Sequence, residues 1–197
     1  MGMVTRRAPR FPRPESAGCL RESMARLDLA LRTVAIYDDV FAALHAARVR
    51  YVVVGGMAVV LQGHPRMTVD LDLVVDLAAD KAGIAVAALT NLGLQPRLPV
   101  AAADFADADK RRAWVEQRNL QVFSFYDPQS PMREVDVFAT EPLPLDQLLA
   151  EASVLTLGGV PVAVASRRHL IAMKRQAGRP QDLADIAALE ELEKDRG

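Results

Sequence analysis

A pair of glycines followed closely by a pair of aspartates constrains this chain more than any other feature. The stretch from Gly55 to Val75 reads GGMAVVLQGHPRMTVDLDLVV. The glycines follow YVVV, a β-branched run typical of a buried strand, and MAVVLQG then predicts a short helix ending at Gly63. The next segment, TVDLDLVVD, alternates as a strand does. The pattern therefore predicts a strand, a glycine turn, a helix and a second strand in quick succession.

The two aspartates of the second strand lie on one face. Side chains alternate along a strand, so Asp70 and Asp72 point the same way, roughly 7 Å apart, while Leu71 and Leu73 point the other way. Two neighbouring carboxylates on a partly covered face repel each other, and one keeps its proton unless a cation lies between them. A hard divalent ion such as Mg²⁺ accepts carboxylate oxygens. A sheet face that simply meets water is the simpler interpretation, and it stays open.

The glycine pair adds a second chemical element next to the aspartates. Gly55 and Gly56 offer two unhindered backbone N–H groups at the start of a helix, where a phosphate can approach closely. Alone, such a pair is often only a turn. Beside two carboxylates that could hold Mg²⁺, it predicts a site for a magnesium–nucleotide complex.

These residues resemble a known superfamily. GG, thirteen further residues and DLD are similar to the signature of the polymerase-β-type nucleotidyltransferases, and the fuller string resembles the branch of AbiEii abortive-infection toxins and related small bacterial proteins. That branch has a basic residue and Ser or Thr shortly before D-x-D, matched here by Arg66 and Thr68. Its closing block pairs a lysine with a downstream R-x-x-D, matched by Lys174 and Asp182. The resemblance covers roughly residues 49–76, 132–140 and 165–190.

The resemblance implies a fold, an activity and a set of partners. The fold would be α/β (α+β), with a mixed central β-sheet flanked by helices and the C-terminal helices packed alongside. The activity would be transfer of a nucleoside monophosphate from an NTP to a hydroxyl of RNA, especially tRNA, or of protein. Two Mg²⁺ ions would be the cofactors. The likeness to toxins implies a role in a toxin–antitoxin or abortive-infection system, with a cognate antitoxin as partner.

The resemblance also implies a third carboxylate on a neighbouring strand. REVDVFAT supplies Asp136, whose neighbours Val135 and Val137 face the other side. Asp70 and Asp72 would bind the two ions, and Asp136 would hold one of them and help to deprotonate the acceptor hydroxyl. Most of the superfamily has Gly-Ser where this chain has Gly55-Gly56, so the backbone amides and Lys174 are expected to hold the phosphates.

Lys174 lies on the apolar face of its predicted helix, with Leu170 and Ile171. A lysine on a buried stripe needs a partner or a function, or its stem packs while the ammonium reaches water. If it binds phosphate, we expect it to contribute little to folding stability. The stretch from Arg167 to Arg179 holds five Lys or Arg residues and no acid, which favours a triphosphate or an RNA backbone as its ligand.

Asp182 admits two interpretations. It is an acid in the first turn of a helix, just after Pro180, where the helix dipole favours it. It could equally orient Lys174 or Arg179. The residues alone do not choose between them.

Helical and strand patterns alternate along the rest of the chain, which favours a sheet with helices packed on it. Residues 94–118 match neither pattern, and ADADKRRAW within them is expected to be exposed, with Lys110, Arg111, Arg112 and Trp114 available to RNA. Further helices are predicted over 24–50, 80–93, 166–178 and 179–194, further strands over 120–127 and 133–140, and a hairpin over 154–165.

Composition places the domain and excludes some classes of function. Residues 1–23 are Arg- and Pro-rich with little to bury, so we expect a disordered tail before a nucleotidyltransferase domain over 24–197, and Met24 could be the true start. The net charge of −1 gives no overall attraction to nucleic acid or membrane. One cysteine and no 18-residue apolar run favour a cytoplasmic protein with no membrane partner. Antibiotic (aminoglycoside or lincosamide) nucleotidyl transfer and non-catalytic nucleotide binding remain alternatives.

Overall fold

A seven-stranded mixed sheet organises the part of the chain that the computed structural model describes, residues 34–194. The predicted tail over 1–23 and the start of the first predicted helix lie outside it. The strand order is β3-β4-β5-β2-β1-β7-β6. β1 pairs antiparallel with β2 and parallel with β7, and β2 pairs parallel with β5. The strands are β1 Tyr51–Val54, β2 Asp70–Val75, β3 Gln95–Pro96, β4 Val122–Asp127, β5 Ser130–Phe138, β6 Ser153–Leu157 and β7 Val160–Val164.

Helices flank this sheet, as predicted, and the last two pack against each other. The helix after the glycines is short, and Gly178 in a left-handed conformation ends the first of the two closing helices. No helix within residues 34–194 is long and apolar enough to cross a membrane. The helices are α1 Asp38–Ala46, α2 Gly55–Leu61, α3 Ala79–Asn91, α4 Ala108–Arg118, α5 Leu145–Ala150, α6 Arg167–Ala177 and α7 Pro180–Lys194, with a 3₁₀ turn over Ala102–Ala106.

One face of the sheet is the hydrophobic core, and α4 belongs to it. Trp114 stacks on Phe123 with ring centroids 5.3 Å apart, and both are buried. Arg111 is also buried and donates hydrogen bonds to the carbonyls of Phe105 and Leu77. The expectation that ADADKRRAW is an exposed segment is therefore wrong for Arg111 and Trp114, which are not available to RNA. Backbone carbonyls satisfy the guanidinium, and the sequence does not show such partners.

The opposite face carries polar side chains in two rows across four strands. Residues that pair across strands share a face, so the register defines the rows. The backbone N–H of Arg97 donates to the carbonyl of Ser124 over 2.9 Å, which extends the second row beyond β3. We call this surface the polar floor; its rows are Asp70, Glu134, Tyr126 and Gln95, then Asp72, Asp136, Ser124 and Arg97.

Candidate active site

Three aspartates lie together at the start of the polar floor. Asp72 is directly opposite Asp136 on the neighbouring parallel strand, and Asp70 is two residues before Asp72 on the same face. Burial, with the charges of Asp136 and Asp70, raises the pKa of Asp72 from 3.8 to about 7. Burial is also the largest cause that raises the pKa values of Asp70 and Asp136, and Glu134 adds to both. The alternation predicted from the sequence has thus placed mutually repelling carboxylates on one surface.

The donor chemistry of this group fits a divalent cation. Asp136 Oδ1 is buried without a hydrogen-bond partner among the described residues. Carboxylate oxygens are the ligands that Mg²⁺ prefers, and a cation would offset both the burial and the mutual repulsion that raise the three pKa values. Within residues 34–194, no group of three or more His, Cys, Asp or Glu side chains is already gathered around a metal position. The assignment of Asp70, Asp72 and Asp136 as metal ligands therefore stays a prediction.

The glycine pair makes room for the side chains of the site. Gly55 has φ +62°, and a Cβ there would overlap the Asp72 carboxylate. A Cβ on Gly56 would overlap the Arg66 guanidinium and the Thr68 hydroxyl. The backbone N–H of Gly56 hydrogen-bonds the carboxylate of Asp72 and partly offsets the rise of its pKa. The pair is therefore required for packing Asp72, Arg66 and Thr68, and binding of phosphate by its amides stays a prediction.

A buried ion cluster closes the other side of the aspartates. Lys174 Nζ lies 3.1 Å from Asp182 Oδ1 and 2.7 Å from Asp185 Oδ2. Asp185 Oδ1 lies 3.0 Å from Arg66 Nε. The positive charge of Lys174 lowers the pKa of Asp72, so the cluster is within electrostatic reach of the three aspartates. We call Arg66, Lys174, Asp182 and Asp185 the ion cluster; it links the loop before β2 to α6 and α7.

The ion cluster bears on two questions that the sequence left open. Lys174 is only 8% exposed and is paired, so its ammonium does not extend into solvent. Asp182 fits both of its interpretations, because one oxygen accepts from Lys174 and the other accepts from the backbone N–H of Arg179 over 3.2 Å. Asp185 was not predicted. Its position three residues after Asp182, on the same face of a helix, was the available signal.

The five basic residues between 167 and 179 do not form one patch. Arg167 donates to the carbonyls of Gln62 and Leu192. Arg168 pairs with Glu151 and Arg175 pairs with Glu190, both near the surface. The predicted basic ligand surface is therefore wrong as a cluster, because Arg167, Arg168 and Arg175 each bind a different acid or carbonyl group.

The sheet and its polar floor define a protein with the nucleotidyltransferase fold. The crystal structure of an antigenic nucleotidyltransferase-like protein from Paracoccidioides brasiliensis has a similar fold, with a TM-score of 0.52 at 20% sequence identity, over 84% of this chain and 77% of that one. The family model described as "Nucleotidyl transferase AbiEii toxin, Type IV TA system" matches residues 39–196. The chain belongs to this AbiEii family and is a nucleotidyltransferase, as the sequence motifs predicted. Comparison with curated proteins gives no match.

The raised pKa of Asp72 predicts how stability depends on pH in the metal-free protein. Between about 4 and about 7, the unfolded chain has released a proton that folded Asp72 retains, so stability falls as pH rises through this window. The slope is at most about 1.4 kcal/mol per pH unit for one proton. Asp70 and Asp136 act in the same direction, since their pKa values are also raised.

Urea unfolding with EDTA, from pH 4.5 to 8.5, measures this effect in the wild type and in Asp72→Asn. The asparagine cannot ionise, so the variant should depend less on pH and should be more stable than the wild type above pH 7, by about 1–2 kcal/mol. Equal slopes in the two proteins would contradict the raised pKa.

Proposed function

We propose that this protein is a Mg²⁺-dependent nucleotidyltransferase that moves a nucleoside monophosphate from an NTP to a hydroxyl of RNA or protein. The observation that carries the proposal is the set of three aspartates with raised pKa values on adjacent strands, next to Arg66 and Lys174. Buried carboxylates with raised pKa values cost stability, and they are typical of functional sites. Membership of the AbiEii family supports the same activity.

The reaction forms one P–O bond and breaks another. The acceptor oxygen attacks the α-phosphorus, its proton passes to a base, and the bond to the β-phosphate breaks to release pyrophosphate. Two Mg²⁺ ions held by Asp70, Asp72 and Asp136 would neutralise charge on the attacking and leaving oxygens. Asp136 is suited to accept the proton, because it lies beside Asp72 on the polar floor and its Oδ1 has no hydrogen-bond partner among residues 34–194.

Lys174 and Arg66 are suited to the departing pyrophosphate. The ammonium of Lys174 has three N–H donors, and one of them hydrogen-bonds Asp182. Asp185 Oδ2 lies 2.7 Å from Nζ as an ion-pair partner without a hydrogen bond, so donor capacity is left for a phosphate oxygen. Arg66 has 29% of its side chain exposed, so we expect it to be within reach of a ligand. Because the ion cluster is charge-balanced, it would contribute oriented donors more than net positive charge.

The biological role that we propose is that of a toxin restrained by a cognate antitoxin. The description of the family, a toxin of a type IV toxin–antitoxin system, supports this role. Expression of the wild type from an inducible promoter should arrest growth, and the Asp70→Asn, Asp72→Asn double variant at equal abundance should not. Arrest by both proteins would show that nucleotidyl transfer is not the toxic activity.

Calorimetry with Mg²⁺ and a non-hydrolysable NTP tests the proposed site directly. We expect the wild type to bind the nucleotide more tightly with Mg²⁺ than with EDTA, and the Asp70→Asn, Asp72→Asn protein to lose that difference. Asp80→Asn is the matched control, since Asp80 is an exposed carboxylate in the first turn of α3. If the double variant binds the magnesium–nucleotide complex as well as the wild type, the metal assignment is wrong.

A further inference from the structure

The polar floor continues past the aspartates on the side away from the ion cluster. On one side of Asp72 lie β1 and α2, with Gly55 packed against its carboxylate. On the other side lie β5, β4 and β3, about 4.8 Å apart from strand to strand. Ser124 and Tyr126 on this extension are half-buried, and Arg97 is exposed. The extension is thus a polar surface open to solvent next to Asp136.

Arg97 is fixed in place on this surface and keeps one edge free. Its Nε and Nη2 each lie 2.7 Å from a carboxylate oxygen of Glu134, and its guanidinium carbon is 5.4 Å from the ring centroid of Tyr126. Its Nη1 has no hydrogen-bond partner in the described part of the chain. An arginine that is already held along one edge and stacked on a ring has little conformational freedom left to lose when a ligand binds. Its remaining edge fits two oxygens of a phosphate.

The direction of the reaction assigns this surface to the acceptor. In phosphoryl transfer the attacking and leaving oxygens lie roughly in line, on opposite sides of the phosphorus. Lys174 and Arg66 lie on the β1 side of the aspartates and would hold the leaving pyrophosphate. The attacking hydroxyl must then arrive over β5 and β4, where Asp136 and Ser124 lie side by side.

We infer that the extension of the polar floor is the acceptor subsite, and that Arg97 binds a phosphate of a nucleic-acid acceptor whose hydroxyl reaches Asp136. This inference rests on the proposed function and adds the residues that select the acceptor. A nucleic acid carries a phosphate within a few covalent bonds of each ribose hydroxyl, whereas a serine, threonine or tyrosine of a protein carries no such neighbour. The single fixed guanidinium therefore fits RNA better than protein.

Two measurements with one pair of variants test the subsite. Fluorescence anisotropy measures binding of an RNA hairpin with a free single-stranded 3′ end, with Mg²⁺ and a non-hydrolysable NTP present. Labelled NTP measures transfer to bulk tRNA and to total protein. The variants are Arg97→Gln and the control Arg50→Gln, which removes an exposed cation paired with the exposed Asp146 on α5.

We expect Arg97→Gln to weaken RNA binding and to raise the KM for tRNA by about 10- to 100-fold, the effect of one lost bidentate phosphate contact. Its calorimetric affinity for the magnesium–nucleotide complex should stay within about twofold of the wild type, because the proposed arrangement puts the triphosphate beside Arg66 and Lys174. Arg97→Lys should recover little, since a lysine keeps the charge without the planar edge. Arg50→Gln should behave as the wild type.

Several results would overturn the inference while leaving the proposed function intact. One is equal KM values for the two glutamine variants, and another is transfer by the wild type to protein in place of RNA. The third result is that the wild type binds the magnesium–nucleotide complex but neither binds nor labels RNA. An equal loss of RNA and nucleotide affinity in Arg97→Gln would show that the Arg97–Glu134 ion pair acts only by supporting the proposed metal ligand Asp70, and that Arg97 does not bind RNA. Failure of the wild type to bind magnesium–nucleotide at all would instead refute the proposed function.

Discussion

Replacement of Lys174 by methionine is expected to slow nucleotidyl transfer by about 30- to 1,000-fold and to destabilise the fold by about 2–4 kcal/mol. The kinetic loss follows if one charge-assisted contact to the departing pyrophosphate disappears. The loss of stability follows from the ion cluster, because Asp182 and Asp185 have only 7% and 4% of their side chains exposed. Without the ammonium, two buried carboxylates share only Arg66 and the N–H of Arg179.

This expectation differs from the one that the sequence supports. A lysine that only binds substrate contributes little to stability, and the pattern of α6 did not show that two aspartates of α7 would surround it. A buried pair that loses one member leaves an uncompensated charge, and this costs far more than a lost surface pair. Lys174 should therefore affect both folding and catalysis.

Urea unfolding and steady-state pyrophosphate release, measured on the same Lys174→Met protein, separate the two effects. Arg175→Met is the control, since Arg175 is the next residue of α6 but pairs with Glu190 at the surface. It should change stability by less than about 0.5 kcal/mol. If Lys174→Met lowers stability while kcat/KM is unchanged, Lys174 is a structural residue, and phosphate binding falls to Arg66, the glycine amides and the metal ions.

Replacement of Asp136 by asparagine should lower the rate of transfer by about 100- to 10,000-fold, because the variant lacks a proton acceptor at the acceptor hydroxyl. Its stability should move in the opposite direction. Asparagine removes a charge whose pKa is raised by burial, so the metal-free variant should be at least as stable as the wild type above pH 7. A large loss of activity without a loss of stability distinguishes a reacting group from a structural one.

Single-turnover kinetics and urea unfolding check this prediction, with Ser124→Ala as the control. Ser124 hydrogen-bonds the carboxylate of Asp136 and lowers the pKa of that carboxyl. Ser124→Ala removes this hydrogen bond but keeps the carboxylate itself. We expect Ser124→Ala to change the rate by less than about tenfold, the effect of one neutral hydrogen bond. A rate for Asp136→Asn within tenfold of the wild type would exclude Asp136 as the base.

The local pattern of the sequence was enough to predict the part of the fold that holds the aspartates. Three local signals were used: the run YVVV, the glycine pair, and the alternation around Asp70 and Asp72. Each depends only on neighbours within a few residues, and β1, α2 and β2 lie where these signals predict them. Asp136 was placed on the adjacent strand through the family resemblance, and β5 pairs there. Periodicity identifies strands and faces because it is a local property.

The residues that the sequence did not single out depend on distant partners. Asp185 forms an ion pair with Arg66, and Arg97 forms an ion pair with Glu134. In each pair, the two residues are far apart in the chain. Arg111 is buried because carbonyl groups receive its hydrogen bonds. The prediction of a basic cluster around Arg167 was wrong for the same reason, since its arginines bind acids and carbonyl groups that lie elsewhere in the chain. Only the folded chain shows which charge is paired.

If activity requires the ion cluster, the cluster also sets an order of events during protein synthesis. Arg66 packs against Gly56 beside the aspartates, yet the carboxylate that holds Arg66 and Lys174 belongs to Asp185, far downstream. When the ribosome has synthesised all seven strands, it has not yet synthesised α7. A nascent chain, or one cut within α7, would therefore carry the aspartates without the cations fixed beside them. Activity should begin only after residue 185 has been synthesised and folded, which gives a cell a short interval in which the chain is present and inactive.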